Sequence, residues 1–165
     1  MLRPVLISIL LALGLPACGF AEPVAWRGWN DGLATASGAG KPVIVDVYTD
    51  WCGWCKRMDR DVYARAEVGS YLNQHFVMVR LNAESSERVT YAGRTMAARA
   101  LAGGFQVTGY PTTIFLRPDG EHLVNVPGYL PLDKFMKLVR FIGDGHMDKG
   151  ESWEEYSRAS AAPGK

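Results

Sequence analysis

Residues 43–56 read Val-Ile-Val-Asp-Val-Tyr-Thr-Asp-Trp-Cys-Gly-Trp-Cys-Lys and are the most informative part of the sequence. Its first part, residues 43–48, is an apolar and largely β-branched run that contains one acid, Asp46. A run of this kind is typical of a central strand covered on both faces. The two cysteines, Cys52 and Cys55, come just after it, where the next helix is predicted to begin.

Two cysteines separated by two residues at the start of a helix can close a small disulfide. Free backbone N–H groups and the positive end of the helix dipole stabilise a thiolate at the first of them. We therefore predict that Cys52 attacks and that Cys55 resolves the mixed disulfide. Two other interpretations are a zinc site, for which the three histidines lack ligand spacing, and an inert structural disulfide, whose short loop would add little stability.

The remaining pattern predicts alternating helices and strands, with no internal repeat and no second domain. The predicted elements are a helix over 29–39 capped by Asn30 or Asp31, helices over 55–63 and 68–76, a strand over 76–81, an Ala-rich helix over 90–102, a strand over 112–116 joined through the turn 117–120 to an antiparallel strand over 123–126, and an amphipathic helix over 132–142.

Three segments resemble the thioredoxin family. Residues 45–56 resemble its active-site segment, residues 109–113 (Gly-Tyr-Pro-Thr-Thr) resemble its cis-proline loop, and Gly128 matches a glycine near its last helix. The resemblance covers about 42–142. It implies an α/β thioredoxin-like fold, a central mixed sheet flanked by helices, here with an N-terminal helix and an inserted helical segment, within 84–104, before the cis-proline loop.

The resemblance also implies roles for individual residues. Cys52 matches the attacking thiol, Cys55 the resolving thiol, and Trp51 the ring that shields the site. Asp46 matches a buried acid that relays a proton to or from the resolving cysteine, and burial would raise its pKa. The bond between Tyr110 and Pro111 would be cis, which leaves the Tyr110 backbone to pair with an extended substrate strand.

Two positions depart from the family pattern. Arg80 stands where the family often has a lysine beside the buried acid, and an arginine would hold Asp46 more firmly ionised. Proton relay and a purely structural ion pair therefore both remain open for Asp46. Between the cysteines, Gly53-Trp54 replaces the usual Gly-Pro, so Trp54 either contacts a substrate or packs at the helix start.

The N-terminus resembles a secretory signal. Residues 1–21 hold one charge, and the apolar run Val5–Leu15 is well short of the ~20 residues of a membrane-spanning helix. The signal would be cut before Glu22 or, as in a lipoprotein, before Cys18, which would then be lipidated. We predict that residues 22–165 form a single domain in the periplasm, where a cysteine pair can persist as a disulfide.

The composition of the chain argues against some classes of protein. The 165-residue chain is 48% hydrophobic with a formal charge of +1, which argues against disorder and against nucleic-acid binding. We expect a monomer without metal or cofactor that reduces protein disulfides, with electrons from an inner-membrane donor. The alternatives are an oxidase or isomerase of secreted proteins, which share the chemistry, and a redox-silent binding module.

Overall fold

The computed structural model describes residues 22–160. The predicted signal sequence, with both fates of Cys18, lies outside these residues. The elements in chain order are β1 (Trp26–Arg27), α1 (Trp29–Ala39), β2 (Val43–Tyr48), α2 (Gly53–Met58), a π-helical segment (Asp59–Tyr63), α3 (Ala66–His75), β3 (Val77–Asn82), β4 (Arg88–Tyr91), β5 (Arg94–Ala97), α4 (Ala98–Gly104), β6 (Thr112–Leu116), β7 (His122–Pro127), α5 (Leu132–Gly143) and α6 (Trp153–Ala159).

Five strands form the main sheet in the order β1-β3-β2-β6-β7. β2 pairs with β3 in parallel and with β6 antiparallel, and β7 pairs antiparallel with β6. The mixed sheet expected from the sequence is therefore confirmed. Its topology brings the ends of β2, β3 and β7 and the start of β6 to one edge of the sheet.

Apolar cores cover the two faces of the sheet. Trp29, Leu101 and Phe105 belong to one core, and Leu72, Phe115 and Phe135 belong to the other. β2 lies between them, and each of its first five residues is buried. Each fully buried Val or Ile side chain stabilises the fold by about 1.5–3 kcal/mol. β2 is therefore a stable strand, and it fixes the position of the loop that follows it.

The prediction of one helix over 90–102 was wrong. The chain forms the hairpin β4–β5 and then the short helix α4. Ala92 and Gly93 adopt positive φ angles of 48° and 74°, as the residues of a tight two-residue hairpin turn do. The Trp29 indole donates a hydrogen bond to the Thr90 carbonyl over 2.9 Å, so tertiary contacts override the helix propensity of the alanines.

The first two helices differ from the prediction in detail. α1 has the predicted bounds, but the predicted cap by Asn30 or Asp31 is wrong: Gly28 precedes the helix, and the Asn30 side chain bonds to the backbone of Thr90 and Arg88 in the hairpin. The helix predicted over 55–63 begins earlier, at Gly53, and changes to π geometry from Asp59 to Tyr63. Such wide turns are rare, and they frequently occur at functional sites.

The hairpin predicted after residue 116 is confirmed, with Gly120 at a φ of 90° in its turn. The amphipathic helix is α5, which buries Phe135, Val139 and Ile142. Beyond it, α6 begins with a capping box between Ser152 and Glu155 and packs on Phe141. No helix within residues 22–160 has both the length and the apolar character needed to cross a bilayer.

Candidate active site

Cys52 and Cys55 form a disulfide at the start of α2. Cys52 is the residue that caps α2, and its Sγ accepts a hydrogen bond from the Cys55 N–H over 3.0 Å. The turn that carries it is tied to β2, since the Cys52 N–H donates to the carbonyl of Thr49 over 3.1 Å. A thiolate at Cys52 would therefore face a backbone donor and the positive end of the helix, both of which favour the charged form.

The cis-proline loop has the geometry expected from the sequence. The bond between Tyr110 and Pro111 is cis, and the Pro111 carbonyl accepts a hydrogen bond from the N–H of Gly128 over 2.8 Å. Gly128 has a φ of 88°, a conformation that favours glycine. Within residues 22–160 the N–H and C=O of Tyr110 form no hydrogen bond, so both can pair with an added strand.

Two exposed tryptophans lie next to the cysteines: Trp51 precedes Cys52, and Trp54 lies between Cys52 and Cys55. Trp51 is 66% exposed, donates to Glu84 Oε1 over 2.9 Å, and packs edge-on against Tyr110 with ring centroids 5.9 Å apart. Trp54 is 55% exposed and lies against Tyr129 at 5.6 Å. The predicted residues Trp51 and Tyr110 are therefore in contact, whereas Trp54 belongs to a second aromatic pair.

Asp46 lies in the middle of β2 and is 3% exposed. Its Oδ2 is 3.6 Å from the Nε of Arg80, its direct neighbour on β3, and its Oδ1 has no hydrogen-bond partner among the described residues. Burial raises the pKa of Asp46 to about 7, because the loss of solvation outweighs the attraction of Arg80, and the nearby Asp59 raises it further. A group with this pKa can accept or release a proton near neutral pH.

Arg80 interacts with other groups besides Asp46. Its Nη2 donates to Asp59 Oδ1, and its guanidinium lies 4.4 Å from the ring centroid of Trp26 and 5.5 Å from that of Tyr48. The charge of Arg80 is therefore shared among several partners, which explains why an arginine beside the buried acid leaves its pKa high. Proton relay by Asp46 stays a prediction, and the raised pKa agrees with it.

The chain has a cysteine pair at the start of a helix and a cis-proline loop. Comparison with known proteins shows the family to which it belongs. A family model described as a thioredoxin-like domain matches residues 29–143. The chain belongs to this family.

Relatives and solved structures of this thioredoxin-like chain agree with that assignment. It is 33% identical over 112 residues to the thiol:disulfide interchange protein DsbD of Ralstonia nicotianae, covering 67% of the chain and 17% of DsbD. It is 25% identical over 148 residues to the rat spermatogenesis-associated protein 20, covering 86% and 18%. The solution structure of a thioredoxin from Thermus thermophilus matches with a TM-score of 0.63 at 25% identity, over 79% of this chain and 95% of that one.

The thioredoxin-like chain spans less than a fifth of the length of these curated relatives. The family match over residues 29–143 contains the closed cysteine pair, and the DsbD relative is named for thiol:disulfide interchange. A closed cysteine pair at the start of a helix is the arrangement that thiol–disulfide exchange requires.

Sequence reasoning missed several residues around the thioredoxin-like site. Asp59 lies four residues after Cys55, a helical spacing that could have pointed to it, and Tyr129 follows the recognised Gly128. Trp26 and Glu84 carried no signal, because only the tertiary fold brings them to the site. No group of three or more His, Cys, Asp or Glu side chains in residues 22–160 is arranged to hold a metal ion.

Proposed function

We propose that the protein is an exported thiol:disulfide oxidoreductase that reduces disulfides of proteins in the periplasm. The observation that carries the proposal is the Cys52–Cys55 pair at the start of α2, in a fold whose cis-proline loop leaves the Tyr110 backbone free. An extended substrate segment would pair with that backbone and present its disulfide to Cys52.

The reaction starts from the dithiol form. The Cys52 thiolate attacks one sulfur of the substrate disulfide, a Cys52–substrate disulfide forms, and the other substrate sulfur leaves as a thiolate. Cys55 loses its proton to Asp46, directly or through water, and then attacks the Cys52 sulfur. The Cys52–Cys55 bond closes, the second substrate thiolate leaves, and two electrons have passed from the protein to the substrate.

The closed disulfide then needs two electrons to react again. In an oxidising compartment these must come from another dithiol, and we assign this role to an inner-membrane donor. The similarity to DsbD, named for thiol:disulfide interchange, supports a partner of this class. The reverse reaction, in which the disulfide form oxidises a substrate dithiol, uses the same residues and is the alternative.

Single-cysteine variants test the proposal. Purified residues 22–165, reduced with dithiothreitol and desalted, should reduce the disulfides of insulin. Cys52→Ser should abolish the reaction, whereas Cys55→Ser should accumulate a covalent complex through Cys52 that mass spectrometry detects. Full activity of Cys52→Ser would show that the cysteine pair does not carry the reaction. If the reduced wild-type protein leaves insulin intact, the proposal is overturned in favour of a redox-silent binding module.

Export is proposed from residues 1–21, and it has its own test. When the full chain is expressed in a Gram-negative host, cell fractionation should find it outside the cytoplasm. The intact mass should correspond either to a chain that begins at Glu22 or to one that begins at an acylated Cys18. A full-length chain in the cytoplasm would contradict export.

A further inference from the structure

The site edge of the sheet carries opposite charges at its two ends. Along this edge the order is the end of β3, the end of β2, the start of β6 and the end of β7. Because neighbouring strands are about 4.8 Å apart, β3 and β7 lie about 14 Å from each other. The cis-proline loop at the start of β6 lies between them, so any strand added there has one flank toward β3 and the other toward β7.

The β3 end of the edge is acidic. Glu84 is exposed and accepts the hydrogen bond of the Trp51 indole. Asp50 is also exposed, and its Oδ2 accepts a hydrogen bond from Asn82 Nδ2 over 3.3 Å. Both carboxylates are thereby held beside Trp51 and face solvent.

The β7 end of the edge is basic. The guanidinium of Arg57 lies 5.2 Å from the ring centroid of Trp54 and 5.3 Å from that of Tyr129, the residue that follows β7 by two positions. Asp61 pairs with both Arg57 Nε and Arg60 Nε, at 3.1 and 2.9 Å, and Lys56 is exposed beside them. One acid shared between two arginines, next to a lysine, leaves a local positive charge in a protein of nearly zero net charge.

We infer that this charged edge selects partner segments whose redox cysteine has a basic residue on one flank and an acidic residue on the other, in one chain order only. Strand pairing at the Tyr110 backbone fixes the direction of the segment, so its basic flank meets Asp50 and Glu84 and its acidic flank meets Lys56 and Arg57. Complementary charges of this kind set the orientation and the rate of encounter more than the affinity. The inference rests on the proposed function, because it concerns substrates of the same cysteine pair.

Two peptides of identical composition test the inference. Each is a disulfide-linked dimer of a five-residue peptide, with Glu-Cys-Lys at the centre of one and Lys-Cys-Glu at the centre of the other. Composition and net charge are the same, so only the order of the charges differs. The readout is the second-order rate constant with which each peptide oxidises the reduced protein, followed by quenching in acid and mass spectrometry.

We expect one order to react at least threefold faster than the other at low ionic strength. The ratio should approach one in 0.5 M NaCl, where charges are screened within a few ångströms. The variant Lys56→Glu/Arg57→Glu should abolish or invert the ratio. The matched control Arg140→Glu/Lys149→Glu makes the same charge change at the far end of α5, about 18 Å from its start, where Arg140 lies in the last turn and Lys149 Nζ donates to the Asp144 carbonyl. It should keep the ratio.

The possible results distinguish a failure of the inference from a failure of the proposed function. Because the readout is a ratio between two peptides on the same variant, a general loss of reactivity does not mimic the expected result. Equal rates for the two peptides on the wild-type protein, or a ratio that the Lys56/Arg57 variant leaves unchanged, would overturn the inference alone. If neither peptide oxidises the protein, the proposed function fails and the inference fails with it.

Discussion

Asp46 affects both the stability of the fold and the proposed proton transfer at the site. Asp46 lies on β2, between β3 and β6, and its carboxyl is buried. The neighbouring Arg80 also pairs with Asp59, and the pKa of Asp46 rises to about 7. The buried acid therefore costs stability when it is ionised and can exchange a proton when the cysteines react. The two effects give separate predictions.

The first prediction concerns the pH dependence of stability. In the unfolded chain the pKa of Asp46 returns to about 3.9, so the folded state binds this proton more tightly. The contribution of Asp46 to the free energy of unfolding therefore falls as pH rises from about 4 to about 7 and stays low above that range. Asp46→Asn should be more stable than the wild type at pH 8 by up to about 4 kcal/mol, and equal to it within about 1 kcal/mol at pH 3.

Urea unfolding of both proteins in the disulfide form, at pH 3 and pH 8, measures this difference. If the difference does not change with pH, Asp46 has the same charge throughout the range. That result would favour the structural ion pair with Arg80 over the raised pKa.

The second prediction concerns the closing of the disulfide. When Cys55 attacks the mixed disulfide it must lose a proton, and Asp46 is the predicted acceptor. Asp46→Asn should slow this step about 100-fold at pH 8, while the initial attack by Cys52 changes little. The wild-type rate should rise with pH around a midpoint near 7, and the variant should lack this midpoint. Single-turnover kinetics on a preformed mixed disulfide would show it, and an unchanged profile would exclude Asp46 as the acceptor.

At the scale of elements, the hairpin β4–β5 shows how tertiary contacts override a local pattern. Alanines favour a helix over residues 90–102, yet the Asn30 side chain and the Trp29 indole bond to the backbone of Thr90 and hold the segment as a strand. The turn of the hairpin contains Gly93, whose φ of 74° is strained for any residue with a side chain. The neighbouring α4 contains Gly103 in a helix.

The same substitution at these two glycines should therefore have opposite effects. Gly93→Ala should lower the free energy of unfolding by about 1 kcal/mol, because alanine resists a positive φ. Gly103→Ala should raise it by about 0.5–1 kcal/mol, because alanine favours a helix and its Cβ meets no atom within 4 Å. Thermal or urea unfolding compares the two variants. If both destabilise the protein equally, the hairpin turn or the helix α4 is assigned wrongly.

For the whole molecule, the sequence predicts what depends on local patterns and on the motif. Four of the five strands of the main sheet, the cysteine pair and α5 follow from periodicity and spacing, whereas the short strand β1 was not predicted. The cis-proline loop follows from the resemblance to the thioredoxin family. Contacts between distant segments could not be predicted, since nothing in a single sequence shows that Trp26 packs on Arg80 or that Asn30 holds a hairpin sixty residues away. The residues that surround the cysteines are therefore known only from the three-dimensional structure.

If the Cys52–Cys55 pair delivers electrons to substrates, its reduction potential must be low enough for the dithiol to reduce them. Residues 22–165 would be equilibrated in glutathione and dithiothreitol buffers, trapped with a thiol reagent and weighed by mass spectrometry. We predict a value near that of thioredoxin, about −270 mV, at which the dithiol is a reductant that must be recharged. A value near about −120 mV would contradict it, because a pair with that potential takes electrons from its substrates.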